Sequence, residues 1–192
     1  QVTASGGTLT IDNTGDIDIG ANALVGAMAA DADITATGAI AQAAGSAIVL
    51  AAGDSNTLTI DAGTTYTMAD GATLDANFFV PGSNNSISLT SAGNMYITGI
   101  SADNTVALTS TIGAIIDNGN TNTDVTADSL SLNAATGIGA SGNALKTQVS
   151  NIAANNSGMG VINIDNTGDV NITGLNTTGD ITFAAHSDIN VE

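Results

Sequence analysis

The sequence predicts an all-β protein, a parallel β-solenoid with coils of roughly 19–30 residues and occasional loop insertions, and three observations predict it. Short apolar doublets recur along the chain in strand alternation. Corner residues separate the doublets. The step between doublets returns to one value, since Ile87 to Val106 and Ile162 to Ile181 are both 19 residues apart, with longer steps between other copies. A fixed short step with insertions marks stacked coils that carry loops.

The unit is h-x-h-x5-h-x-h, with h apolar. It takes Leu9, Ile11, Ile17 and Ile19, then Leu58, Ile60, Tyr66 and Met68, then Ile87, Leu89, Met95 and Ile97. Later copies take Ile162, Ile164, Val170 and Ile172, and Ile181, Phe183, Ile189 and Val191. Two copies are partial: Val106, Leu108, Ala114, Ile116, and Leu130, Leu132, Ile138, Ala140. Each h-x-h has the period of a strand and room for three to five residues. The x5 gap usually holds Gly with Asn, Asp, Ser or Thr, residues that accept a tight corner or bond their own backbone. Asp-Asn-Thr-Gly-Asp fills it twice, at 12–16 and 165–169, and reads as one recurring coil corner. A β-sandwich needs longer alternating runs and hairpin turns, which this chain lacks.

Residues 20–50 fit the template poorly; their Ala and Gly suit a cramped coil or a short helix over 21–30, and the stretch is read as strand-rich. Residues 76–86, with Phe78-Phe79-Val80 followed by the only Pro, read as an insertion. Residues 1–192 form a single solenoid segment. The opening "QVTASGG" has no initiator Met, n-region or h-region, and both ends stop in strand pattern without a polar cap, so the chain is expected to be a piece of something longer.

Composition narrows the function. Hydrophobic residues at 43% and a mean hydropathy of +0.26 argue against disorder. Lys146 is the sole basic residue against 18 acids, a formal charge of −17, which excludes nucleic acid as a partner because phosphate binding needs Lys and Arg. No apolar run reaches the length of a membrane-spanning helix, and no membrane insertion is expected.

Residues 128–172 carry "L.L.A..GIG" on Leu130, Leu132, Ala134, Gly137, Ile138 and Gly139. An excursion follows with Asn143, Leu145, Thr147, Val149, Ile152 and Ala153, then "G.I.I.N.GDV.I" on Gly160, Ile162, Ile164, Asn166, Gly168, Asp169, Val170 and Ile172. This succession resembles the repeat regions of filamentous haemagglutinin-like large bacterial exoproteins. The resemblance implies a right-handed parallel β-helix on a secreted, Gram-negative-type surface protein serving as adhesin or rigid stalk. It brings no catalytic residue, and the family's amino-terminal secretion domain is not evident in these residues.

Candidate chemistry is sparse. Asp16 and Asp18 share a strand face with Asp12 just before the corner, an oxygen cluster of the kind that holds Ca²⁺. The matching copy has Asp169 and Asn171 there, and the cluster reads as solvated corner residues; no metal or cofactor is expected. His186, beside Ser187 and Asp188, reads as a solvent-facing corner residue, and Lys146 as a surface solubiliser. The Asn-x-Ser/Thr acceptors at Asn84, Asn155, Asn171 and Asn176 are matches of an Asn- and Thr-rich chain. Phe78, Phe79, Phe183, Tyr66 and Tyr96 are too scattered for a sugar-stacking platform, and most sit at core positions.

No catalytic residue is therefore assigned. The reading is a non-enzymatic structural section of an extracellular adhesin or fibre, with self-association or stacking on neighbouring repeats and an unidentified cell-surface ligand as partners. The alternatives are a filament subunit stacking head to tail and a carbohydrate-active β-helix enzyme; lyases of acidic sugars want Arg or Lys beside the substrate carboxylate.

Overall fold

A computed structural model describes residues 1–4, 6–27, 31–50, 55–76 and 83–192. Every described element is a strand, and the inter-strand pairings are parallel, which makes the chain a parallel β-solenoid. After β1 (Val2–Ala4) the first coil runs through β2 (Leu9–Asn13), β3 (Ile17–Ile19) and β4 (Leu24–Ala27). The second is β5 (Ala32–Ala36), β6 (Ile40–Gln42) and β7 (Ala47–Leu50); the third is β8 (Thr57–Ala62), β9 (Tyr66–Met68) and β10 (Thr73–Ala76). The fourth is β11 (Ser86–Ser91), β12 (Met95–Ile97) and β13 (Ile100–Ala102). Three strands per coil give the cross-section three faces.

From the fifth coil onward strands bend through corners. After β14 (Thr105–Ser110) and β15 (Ala114–Asp117), β16 (Val125–Ala134) spans the third face and the next coil's first face. Next come β17 (Gly137–Ile138), β18 (Leu145–Asn156), β19 (Ile162–Asn166), β20 (Val170–Asn176), β21 (Ile181–Ala185) and β22 (Ile189–Val191). β18 repeats the double span of β16.

Parallel pairing in register stacks like on like. One core column reads Ile11, Ile34, Ile60, Leu89, Leu108, Leu132 and Ala154. The second face stacks Ile17, Ile40, Tyr66, Met95, Ile115, Ile138 and Ile162. The third stacks Val25, Ile48, Leu74, Ile100 and Val125, then turns polar at Thr147 and Asn166. Burying each aliphatic side chain contributes about 1.5–3 kcal/mol. The polar members are paired: Asn166 Oδ1 accepts from Thr147 Oγ1 at 2.9 Å and from the Val149 N–H at 3.1 Å. Buried Tyr66 donates to Gln42 Oε1, and Gln42 Nε2 donates to the Thr73 carbonyl at 3.2 Å.

Several expectations change. The partial copy at Val106 is out by one residue after its corner: Ile115 and Asp117 face inward, while Ala114 and Ile116 are half-buried, because Met95 pairs with Ile115 and Ile97 with Asp117. Ala140 leaves the core in a bridge to Asn143. The two Asp-Asn-Thr-Gly-Asp corners are different corners: Ile11 leads from the first face, whereas Ile164 sits on Leu145 of the third face. The described residues of 20–50 are strand-rich as expected, and 24–27 form β4; residues 28–30 of the helical alternative over 21–30 lie outside the described residues. Of the insertion at 76–86, Phe78, Phe79, Val80 and Pro81 lie outside the described residues. Ile87, Ile97, Ile162 and Ile172 are buried, whereas Ile181 stacks on Ile162 in the last coil and stays 46% exposed.

Corner glycines answer mainly to close approach. A Cβ on Gly113 would lie 2.5 Å from the Asn94 nitrogen, and one on Gly160 would lie 1.8 Å from the Thr136 carbonyl oxygen. Only Gly168 of the two repeated corners has a left-handed φ, of 94°.

Ile164 is fully buried between Leu145 and Phe183. Ile164→Asp places an unpaired carboxylate there, and urea unfolding is expected to show a loss of at least about 3 kcal/mol. Stability equal to the parent would remove Ile164 from the core.

Candidate functional site: a buried acid pair and the only lysine

Asp12, Asp16 and Asp18 are all exposed, and among the described residues no three His, Cys, Asp or Glu side chains gather as a metal site would require. Asp16 acts locally, because its Oδ1 accepts the Ala39 N–H at 2.8 Å, one coil up, where a Cβ on Gly38 would collide with it. Asp169 repeats this at the other corner. Its Oδ1 accepts from the Ser187 hydroxyl and from the Asp188 N–H at 3.2 Å, and those bonds hold its carboxyl below the usual range, the hydroxyl chiefly. Asn94 plays the same part, its Oδ1 accepting the Ala114 N–H at 3.0 Å. The last Asp of the repeated pentapeptide thus ties each corner to the one above it.

His186 is exposed, and its Nε2 lies 2.9 Å from Asp165 Oδ1 of the coil below. Ser187 turns to Asp169, so His186 and Ser187 do not form a dyad. Acceptor residues Asn155, Asn171 and Asn176 belong to outward amide ladders: Asn176 Nδ2 donates to Asn155 Oδ1 at 2.9 Å, and Asn190 Nδ2 to Asn171 Oδ1 at 3.1 Å. Tyr66 is core, Phe183 is half-buried, and Tyr96 is half-buried with its hydroxyl accepting from Asn94 at 3.2 Å.

Lys146 is the clear departure from expectation. It is no free solubiliser: its Nζ forms an ion pair with Asp117, whose side chain is fully buried, while the lysine side chain is 28% exposed. The pair is assembled by the fold. The register shift of β15 turns Asp117 inward at its end, the loop 118–124 closes over it, and β18 brings Lys146 across from the next coil. Asp117 Oδ1 accepts the Gly119 N–H at 2.8 Å, and Asn143 Nδ2 reaches the Asp117 carbonyl at 3.2 Å.

A second acid closes the cluster. Asp124, at the far end of the loop, is fully buried, and its Oδ2 accepts the Lys146 N–H at 2.8 Å. Its Oδ1 has no donor within reach although it is sealed from solvent. The Asp117 carboxyl lies near enough for its charge to oppose ionisation of Asp124. Burial raises the Asp124 pKa to about 7, opposed by the Lys146 N–H and assisted by the Asp117 charge. Near neutral pH Asp124 can therefore hold a proton beside the Lys146–Asp117 ion pair. One partner of such a buried pair left alone costs about 3–5 kcal/mol, so the set stands or falls together.

Sequence reasoning missed Asp117 and Asp124. The available signal was the polar run 118–123, which breaks the template after Ile116 and is bracketed by the two acids. No family model, curated protein or solved structure matches the chain.

Asp124 sets a pH dependence. Its folded pKa lies above the ordinary 3.8, so the native state binds the extra proton and its advantage is lost as pH rises from about 4 through about 7. Compared with Asp124→Asn, the wild type is expected to lose stability over that window by up to about 1.4 kcal/mol per pH unit, read by urea unfolding. Parallel curves would show that Asp124 titrates normally.

The outward acids generate a salt prediction. Asp12 stacks on Thr35 and Thr35 on Asp61, so in-register carboxylates on this column stand two coils apart, about 9.6 Å. Screening acts near that distance, and the melting temperature is expected to rise modestly with NaCl. CaCl₂ at matched ionic strength should do no more; a steeper calcium response would restore a site at Asp12, Asp16 and Asp18.

Proposed function

We propose that this chain is a non-enzymatic structural section of an extracellular bacterial surface protein, a rigid stalk within an adhesin or fibre of the filamentous haemagglutinin-like kind. The observation that supports it most is the continuous axial pairing. Nine first-face strands, β2 to β22, pair in sequence through eight turns, with one register shift between β18 and β20. A stack joined by main-chain hydrogen bonds along its axis resists bending and extension together, which is what a spacer needs. The outer surface adds uncharged ladders such as Ser129, Asn151, Asn171 and Asn190, compatible with lateral contacts to matrix or to neighbouring rods. Secretion to the surface, in a Gram-negative-type cell, belongs to the same proposal.

A second reading, a self-assembling subunit that stacks head to tail, is favoured by the end coils. Val2 at one end, and Ile181, Ile189 and Val191 at the other, continue the inward columns of Val25, Ile162, Val170 and Ile172 and are 46–71% exposed where another coil would cover them.

The stalk reading is tested in a surface-displayed parent protein by replacing residues 1–192 with an unrelated β-solenoid of equal turn number. Adhesion is expected to be retained on replacement and reduced on deletion. Loss on replacement equal to that on deletion would make this section the adhesive part, and concentration-dependent rods formed by the isolated chain would favour the subunit.

A further inference from the structure

The cluster of Lys146, Asp117 and Asp124 holds every component of an amide condensation. A primary amine touches an oxygen of the Asp117 carboxyl, and a second buried acid with an unpartnered oxygen is held beside the pair by the Lys146 N–H, near enough to feel the Asp117 charge. We infer that Lys146 Nζ and Asp117 Cγ condense into an intramolecular isopeptide bond, with Asp124 moving the protons, so that the fifth coil is covalently stapled to the sixth. The inference does not depend on the stalk reading.

The chemistry balances without an outside reagent. Lys146 Nζ passes one proton to the Asp117 carboxylate across their contact, which leaves a neutral amine against a carboxylic acid. The nitrogen lone pair then forms the Nζ–Cγ bond while the carbonyl π pair moves onto oxygen. Asp124 gives its proton to the departing hydroxyl, the C–O bond breaks with its electrons on the oxygen, and water leaves as the carbonyl reforms. The nitrogen returns a proton to Asp124. One amine and one carboxylic acid become one amide and one water, with no change of oxidation state and Asp124 restored as an acid.

Three features drive this direction. The amine and acid are held in contact by separate strands, β18 and β15, which replaces a bimolecular encounter by a positioned one. With its pKa raised to about 7, Asp124 keeps its proton in a substantial share of molecules at neutral pH and so can serve as the acid the leaving group needs. Burial of the Asp117 side chain keeps water from the carbon, which opposes the reverse hydrolysis. Asp124 also keeps its Oδ2 on the Lys146 N–H at 2.8 Å, which holds its carboxyl beside the lysine that carries the amine, with Oδ1 free of any other partner.

Because Lys146 is the only Lys or Arg of the chain, two measurements on one sample are decisive. The purified, unfolded chain is weighed by mass spectrometry and treated with trypsin. The expected result is a mass one water below that of the sequence and resistance to cleavage after Lys146. Asp124→Asn is expected to show the full sequence mass and one cut, as is Asp117→Ala. A wild-type chain of full mass that trypsin cuts completely overturns the inference. So does a one-water deficit with normal cleavage, which would place the dehydration elsewhere, for example at Asp70-Gly71. An Asp124→Asn variant that still loses water and resists trypsin overturns the role of Asp124. Should Asp124→Asn fail to fold, the wild-type mass and digest still decide whether the bond forms.

Discussion

Everything in this structure follows from the demand that each coil lie at strand spacing from the next. Parallel in-register pairing joins the turns by main-chain hydrogen bonds about 4.8 Å apart, and no coil can be thicker than that at any point of its circuit. Faces satisfy the demand easily, because side chains project inward or outward and never between coils. Corners do not. There the backbone turns its own bulk toward the neighbour, and Gly113 and Gly160 are glycine because a Cβ would enter the adjacent main chain.

The same constraint explains the acids and amides. Where the chain turns, backbone N–H groups lose their ladder partners and must find others. Asp16, Asn94 and Asp169 supply them from the coil below, each with one side-chain oxygen on an N–H above. Inside, Asn166 takes the place of a missing strand by bonding the Val149 N–H and Thr147. A chain with 18 acids and one base thus uses much of its polarity as backbone capping.

The lone base is drawn into the interior. Its site exists because β15 is displaced by one residue from the template and turns a carboxylate inward over Ile97. A buried carboxylate needs a cation, and the only one available arrives from the neighbouring coil. Asp124 then becomes an acid that cannot easily ionise, chiefly because burial strips its charge of water and, further, because the Asp117 charge stands near it. An ordinary structural compensation and a reactive constellation are here the same arrangement, and covalent closure would make the compensation permanent.

By itself the sequence determined the architecture. The h-x-h doublets report strand period, and the recurrent 19-residue step reports coil stacking, because burial on one side of a short strand leaves a two-residue pattern however the coils are arranged. It also marked Asp-Asn-Thr-Gly-Asp as a corner. Only the tertiary structure decided which corner, since Ile11 and Ile164 carry identical local signals on different faces, and phase around the axis depends on the summed lengths of all preceding loops. The inward turn of Asp117 was likewise hidden. Ala114-Ile115-Ile116-Asp117 offers apolar residues in either register, and pairing of Met95 with Ile115 on the coil below selects one. The meeting of Lys146 with Asp117 and Asp124 depends on that choice and on loop 118–124, so a contact between residues 22 and 29 positions apart was beyond any local pattern.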